Sequence, residues 1–243
     1  MKKYLYLSFI FVCSLFIGLI TVNAQDYYYI NDNGVTFTKN QYDFITKMYF
    51  EGYQAYMTQE DMNYFNDIKM VPENVESKEY VEMYHGEYST KATTHETQSK
   101  ILKISKLNKT FAISCAWKKS PTVRSYDLIG TYLNGPSLSG GAIARIAYSG
   151  GNIYPSYEKT PGNGYGAVIK MPTGGNSIIA STTFSVTGSG RVYGSYQHAK
   201  TSISLANAST FTIGNAGLGN VFRFSSTTIA NKYDAMGGVY TDV

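Results

Sequence analysis

Short segments that alternate apolar and polar residues run through positions 100–243. Turn signals such as Gly150-Gly151-Asn152 separate these segments at short intervals. The candidate strands are 101–105, 110–117, 124–133, 142–148, 164–171, 177–186, 191–198, 202–206, 210–213 and 220–224. Strands at this spacing are typical of two packed antiparallel sheets. The sequence therefore predicts a mainly β fold: an antiparallel β-sandwich, jelly-roll or immunoglobulin-like, preceded by a small acidic α-helical segment.

Residues 109–133 predict the central hairpin of this sandwich. In the first strand, the period-two rule separates large from small side chains. The large ones are Phe111, Ile113, Cys115 and Trp117, and the small ones are Ala112, Ser114 and Ala116. Pro121 ends this strand because proline cannot donate to a ladder. In the next strand, Tyr126, Leu128 and Tyr132 share one face, and Asp127, Ile129 and Thr131 share the other. We expect the face that carries Cys115 to lie in the core.

Residues 1–24 have the pattern of a cleaved signal peptide. Lys2 and Lys3 precede a long apolar run, and Ala24 ends a small-x-small cleavage site. We expect a secreted, extracellular protein whose mature chain starts at Gln25. An uncleaved membrane anchor is the alternative.

Cysteine content indicates how the secreted chain is held together. Of the two cysteines, Cys13 leaves with the signal, so Cys115 alone remains. No intramolecular disulfide can form, and a domain of this size then depends on its hydrophobic core. We expect Cys115 to be buried and unreactive on its apolar strand face.

Residues 25–88 predict a hairpin followed by helices. Asn33-Gly34 is a two-residue turn signal between short β-type segments. Thr38 is a helix N-cap, and the glutamine three residues later completes a capping box. The helix that follows carries an aromatic stripe typical of a core-facing surface. Thr58 starts a second, shorter helix.

A polar stretch follows these helices. Tyrosines at intervals of four predict a helical turn over 80–84. Residues 89–99 are rich in Ser and Thr and predict a linker, since this composition buries little apolar surface. We therefore place a domain boundary there, followed by a β domain over 100–243.

Charge changes sign at the same boundary. Residues 25–99 contain 13 acidic and 5 basic residues, whereas residues 100–243 contain 14 basic and 4 acidic residues. Opposite net charges of this size attract over long distances. We expect the acidic segment to dock on the basic β domain, or the basic domain to bind an external polyanion.

Patterns for catalysis and metal binding are weak. There is no G-x-S-x-G nucleophile motif, and His85, His95 and His198 lack metal-ligand spacing. Glycine pairs between strands have no following helix to hold a phosphate. We predict no catalytic residue, no metal site and no cofactor. A secreted chain also disfavours a nucleic-acid partner.

Aromatic residues in glycine-rich loops are the main binding candidates, because such loops commonly carry recognition surfaces. Three polar residues near strand ends accompany them. The candidate binding residues are Tyr148, Tyr154, Tyr157, Tyr165, Arg124, Asp127 and His198. The alternatives are tyrosines that cover core edges, a carboxylate at Asp127 paired with Arg124 or Lys119, and a structural role for His198.

Four motifs carry a resemblance to a known group of proteins. They are QYDFITKMYFEGYQAYMTQEDMNYF, CAWKKSPTVRSYDLIG, VYGSYQHA and KYDAMGGV. Together they resemble uncharacterised secreted proteins of low-GC Gram-positive bacteria and their wall-less relatives. The resemblance implies no activity, ligand or catalytic residue.

Three functions remain open. The first is a secreted, non-enzymatic binding or cell-surface-associated protein whose β-sandwich recognises an anionic cell-wall polymer, a glycan or a lipid membrane surface. The second is a pore-forming or membrane-damaging β-protein, because 176–190 and 200–210 are alternating and rich in Ser and Thr. The third is a secreted hydrolase.

Overall fold

The computed structural model describes residues 27–65, 68–86, 95–215, 219–234 and 236–243. The predicted signal peptide, its cleavage site and most of the predicted linker lie outside these residues. Among the helices of the described ranges, none has the length and apolar character that crossing a bilayer requires.

The N-terminal segment folds as a small hairpin followed by short helices. It comprises β1 (Tyr29–Ile30), β2 (Thr36–Phe37), α1 (Lys39–Met48) and α2 (Gln59–Asn63), with 3-10 turns at Tyr53–Tyr56 and Pro72–Asn74. Gly34 adopts a left-handed φ of 74° in the β1–β2 turn. Thr38 and Gln41 form the capping box at the start of α1, and Thr58 with Asp61 repeats it at α2. The hairpin and both helix starts agree with the sequence prediction.

The rest of the described chain is mainly strand, with two further short helices. The strands are β3 (Glu76–Gly86), β4 (His95–Leu107), β5 (Thr110–Trp117), β6 (Tyr126–Asn134), β7 (Ser137–Leu138), β8 (Ile143–Tyr148), β9 (Gly151–Ile153), β10 (Tyr157–Lys159), β11 (Gly164–Lys170), β12 (Ile179–Thr187), β13 (Arg191–Gln197), β14 (Phe211–Ile213), β15 (Phe222–Phe224) and β16 (Val239–Asp242); the helices are α3 (Leu205–Ala208) and α4 (Thr227–Ala230).

These strands form two large antiparallel sheets. The five-stranded sheet has the order β10-β11-β6-β13-β16. The seven-stranded sheet has the order β3-β4-β5-β12-β8-β9, with β7 also paired to β12. In addition, β1 pairs with β2, and β14 pairs with β15.

The inner faces of the two large sheets enclose the main hydrophobic core. Phe111, Ile113 and Cys115 of β5 lie in this core, as the period-two pattern predicts. Ile129 and Tyr196 contribute to it from the five-stranded sheet. The antiparallel β-sandwich predicted from the sequence is therefore confirmed.

The outer faces of both sheets are covered as well. Ala112 and Ala116 belong to a second core shared with the N-terminal segment, and their small side chains leave room for α1. On the other side, Leu128 and Val168 pack with Phe211 of the segment that carries α3, β14, β15 and α4. The protein thus has four layers, with the two sheets in the middle.

The prediction of a helical turn over 80–84 is wrong, because these residues lie in β3. This strand pairs with β4, and the ladder satisfies backbone groups that a single helical turn would leave open. Residues 95–99, predicted as linker, lie in β4. Residues 76–86 therefore belong to the seven-stranded sheet, and the part of the N-terminal segment outside the sandwich ends before Glu76.

The prediction of a strand over 202–206 is also wrong. Leu205 starts α3, and the Ser204 hydroxyl accepts a hydrogen bond from the Asn207 N–H at 3.3 Å. A serine that caps a helix in this way favours the helical conformation over an extended one. This short helix helps to cover the five-stranded sheet.

Candidate functional site

Strands of both large sheets end together at one end of the sandwich. Tyr126 at the start of β6 pairs with Lys170 at the end of β11, and Leu128 pairs with Gln197 at the end of β13. Trp117, at the end of β5, reaches across from the other sheet with its indole N–H. The loops at this end therefore lie close to one another.

Basic side chains gather on these loops, and we call this surface the basic end. Its members are Lys118, Lys119, Arg124, Lys170, Lys200 and Lys232. The Lys118 N–H donates to the Ser99 carbonyl at 2.9 Å, and the Lys200 N–H donates to the Lys232 carbonyl at 2.7 Å. The backbone thus fixes where these lysines emerge, and the side chains of Lys118 and Lys200 are exposed.

Two cations at the opposite end of the sandwich have acidic partners. Arg191 pairs with Asp242 at 2.9 Å, and Lys106 lies 3.9 Å from a carboxylate oxygen of Glu76. Lys109, exposed at the same end, donates instead to the Gly188 carbonyl at 2.7 Å, so the charge at that end is compensated in part.

A buried carboxylate lies beneath the basic end. Asp127 is 1% exposed, and its oxygens lie 2.9 and 3.0 Å from Nδ1 of His198. It also accepts hydrogen bonds from the Tyr196 hydroxyl and, at 3.0 Å, from the Ala199 N–H. Several donors on one carboxylate satisfy the requirement that buried polar groups be hydrogen-bonded. The sequence candidates Asp127 and His198 are thus brought into direct contact.

Aromatic residues extend this network towards the surface. The Trp117 Nε1–H donates to the Tyr196 hydroxyl at 3.0 Å, and its ring contacts the His198 ring edge-on, with centroids 4.7 Å apart. Burial, and then the negative charge of Asp127, raise the pKa of Tyr196 well above its usual value. Tyr196 therefore remains protonated and acts as a hydrogen-bond donor. The network positions Trp117 and the end of β13, which leads to Lys200.

A buried ion pair supports the same loops. Lys100 is 2% exposed and pairs with Asp234, while its ammonium lies 5.1 Å from the centroid of the Trp117 ring. Asp234 also accepts the His198 backbone N–H at 3.1 Å. Both acids beneath this end are thus bound by internal partners.

Arg124 connects two loops through hydrogen bonds to their backbone carbonyls. Its guanidinium donates to the carbonyls of Pro121 at 3.2 Å, Pro172 at 2.9 Å and Gly174 at 3.1 Å. The hydrogen bonds of Arg124 therefore go to backbone carbonyls. Asp127 pairs with His198 and not with Arg124.

The four tyrosine candidates separate into three environments. Tyr148 lies at the basic end, where a Cβ added to Gly175 would come within 2.7 Å of its ring. Tyr154 is 51% exposed, and Tyr157, which starts the edge strand β10 of the five-stranded sheet, is 37% exposed. Tyr165 is 2% exposed and donates its hydroxyl to Glu158. The prediction that Tyr165 contributes to a recognition surface is wrong, because its position in β11 points inwards.

A cleft of about 380 Å³ opens beside the basic end, between the N-terminal segment and the seven-stranded sheet. Its lining residues are Phe50, Glu51, Gly52, Ala116, Trp117, Lys118, Ser177, Ile178 and Ile179. Sequence reasoning missed this cleft, since no pattern connects the turn after α1 with the end of β5. The nearest signal is the exposed glutamate beside Gly52, whose left-handed φ of 88° marks a turn.

A second buried charge cluster joins the N-terminal segment to the seven-stranded sheet. Arg145 of β8 pairs with Asp61 of α2 and donates to the Tyr53 hydroxyl at 2.9 Å. That hydroxyl also contacts the Ser181 hydroxyl at 2.5 Å. Burial opposes the charge of Arg145, but Tyr53 and Asp61 together raise its pKa above the usual value. The guanidinium therefore stays charged inside this interface.

Over the described ranges, no group of three or more His, Cys, Asp or Glu side chains is arranged to hold a metal ion. Comparison of the chain with protein-family models, curated proteins and solved structures finds no match. The resemblance to secreted proteins of Gram-positive bacteria therefore stays a prediction.

Proposed function

We propose that this is a secreted, non-enzymatic binding protein that holds an anionic cell-surface polymer at the basic end. The observation that carries the proposal is the contrast between the two ends of the sandwich. Lys118 and Lys200 are exposed on neighbouring loops, whereas Arg191 and Lys106 at the other end are paired with acids.

Electrostatics favours a polymer as the ligand of such a surface. Each exposed lysine attracts an anionic group only weakly in water, because solvent and salt screen the interaction. A chain of anionic groups engages several lysines at once, and the summed attraction also raises the association rate. Strand ends and the Asp127 network hold the loops in place, which lowers the entropic cost of binding.

The proposal includes the docking of the acidic N-terminal segment on the β domain. The Asp61–Arg145 pair supports it, as do the hydrogen bonds from the Lys103 ammonium to the carbonyls of Lys47 at 3.0 Å and Thr46 at 3.4 Å. These carbonyls belong to the last turn of α1, where a cation is favoured by the helix dipole.

The two other functions receive less support. A pore-forming conversion of 176–190 would have to extract β12, which pairs with β5 and β8 on its two sides. Residues 200–210 contribute α3 to the cover of the five-stranded sheet. For a hydrolase, Asp127 is committed to internal donors, so it is a poor candidate for a second catalytic carboxylate.

Binding of purified poly(glycerol phosphate) tests the proposal. The variant Lys118→Ala/Lys200→Ala should bind about tenfold more weakly than wild type, and the difference should shrink as salt rises. The matched control Lys106→Ala/Lys109→Ala has the same net charge but is altered at the opposite end, and it should bind like wild type. Equal losses in both variants would contradict a specific basic end. Binding to anionic vesicles but not to the polymer would assign the surface to membranes instead.

A further inference from the structure

The cleft beside the basic end carries one exposed charge of each sign. Glu51 comes from the turn after α1, in the acidic part of the chain, and Lys118 follows β5, in the basic part. Ile178 and Ile179 also line the cleft, but they are 1% and 5% exposed and offer it little apolar surface. The cleft thus offers a carboxylate and an ammonium in one concave site.

These two charges are available to a ligand. Neither the Glu51 nor the Lys118 side chain has an ion pair or hydrogen bond within the described part of the chain. The backbone fixes where the two side chains begin. Gly52 fixes the turn at Glu51, and the Lys118 N–H is bonded to the Ser99 carbonyl at 2.9 Å. A cleft with one charge of each sign is complementary to a ligand that also carries both charges.

The aromatic residues of the cleft already face cations of the protein. The Lys103 ammonium lies 4.4 Å from the centroid of the Phe50 ring, and the Lys100 ammonium lies 5.1 Å from that of Trp117. A further cation on either ring would meet like-charge repulsion. An ammonium group of a ligand is therefore directed to Glu51, and an anionic group to Lys118.

We propose that this cleft binds a zwitterionic unit, one that carries both an ammonium group and an anionic group. Its volume of about 380 Å³ lies within the range usual for small-ligand sites, roughly 300–1,000 Å³. The inference rests on the proposed function. The repeating unit of the recognised polymer would carry both charges, and the cleft would bind its ammonium group.

Three small probes separate the two charges. Phosphoethanolamine has both groups, ethyl phosphate lacks the ammonium, and ethanolamine lacks the phosphate. Trp117 is the only tryptophan and lines the cleft, so its emission reports binding in the full chain, with calorimetry as a second readout. Phosphoethanolamine should bind at least about tenfold more tightly than either of the other probes, since each charged contact contributes separately. Equal binding of ethyl phosphate would overturn the inference.

Substitutions at the two charges sharpen this test. Glu51→Gln should reduce binding of phosphoethanolamine to the level of ethyl phosphate, and Lys118→Met should reduce it to that of ethanolamine. Glu73→Gln and Lys109→Met change the same residue types at exposed positions outside the cleft, and they should have no effect. Loss of selectivity in these controls, or unchanged selectivity in Glu51→Gln, would contradict the assignment.

Failure of this inference can be distinguished from failure of the proposed function. If poly(glycerol phosphate) binds at the basic end but phosphoethanolamine does not bind in the cleft, the zwitterionic site is wrong and the polymer-binding function stands. If neither the polymer nor phosphoethanolamine binds, both proposals are wrong.

Discussion

Asp61 and Asp127 are both buried acids, but the protein compensates them by different means. Asp61 lies between the N-terminal segment and the seven-stranded sheet, and the charge of Arg145 neutralises it. Asp127 lies between the two sheets, where its described partners are the Tyr196 hydroxyl, the His198 ring and a backbone N–H. The difference indicates that an ion pair locks one segment to another, whereas a hydrogen-bond network orients the residues beneath the basic end.

The ion pair should give the largest effect. Arg145→Met leaves Asp61 buried without its counter-charge, and loss of one partner of a buried pair costs about 3–5 kcal/mol. We expect this decrease in the free energy of unfolding, measured by urea denaturation. Arg223→Met alters an exposed arginine and should change stability by about 0.5 kcal/mol or less.

The double variant Arg145→Met/Asp61→Leu provides a further control. It removes both charges but also the Asp61 acceptor of the α2 capping box, so it should recover part of the lost stability. A single Arg145→Met variant as stable as Arg223→Met would show that this pair does not lock the segment.

The hydrogen-bond network around Asp127 should give a smaller effect. Asp127→Asn keeps the shape of the side chain but replaces one acceptor oxygen with a donor, so donors such as His198 and Tyr196 lose a partner. The expected cost is about 1–3 kcal/mol, again from urea denaturation. Asp32→Asn, at an exposed position, is the control. A cost equal to that of Arg145→Met would remove the distinction between the two carboxylates.

An effect that depends on pH is expected at Lys103, a buried cation bonded to helix carbonyls. Burial lowers its pKa from 10.5 to about 8. Between these values the unfolded chain binds more protons than the folded protein, so stability should rise with pH. Lys103→Met should flatten this rise, measured as unfolding free energy from about pH 8 to 10. An unchanged slope would mean that Lys103 is not the titrating group. Above this range, raised tyrosine pKa values such as that of Tyr53 oppose the trend.

The local pattern of apolar, polar and turn residues was sufficient to predict much of the fold. The alternation around Phe111 and Cys115 predicted which face of β5 is buried, and the Asn33-Gly34 signal predicted the first hairpin. Such features depend on neighbouring residues, since side-chain direction in a strand follows from period two. The predicted turn over 80–84 failed because β4, the next strand along the chain, supplies a hydrogen-bond ladder that the spacing of the tyrosines does not reveal.

The candidate site could be predicted only in part. Asp127 and His198 were chosen separately, as a polar residue in a strand and a histidine near a strand end. Their contact depends on the antiparallel pairing of β6 and β13. The exposure of Tyr165 was predicted wrongly, because a glycine-rich loop next to a strand does not determine towards which face the side chains of the first strand residues point.

By itself, the sequence determined the fold class, the alternating faces and the charge asymmetry between residues 25–99 and 100–243. These properties follow from composition and from spacing along the chain. Tertiary structure alone decided that Asp61 meets Arg145, that lysines from separate loops share the basic end, and that Glu51 faces the same cleft as Lys118. The physical reason is that such contacts arise from strand order and packing, which bring together side chains from segments far apart in the chain.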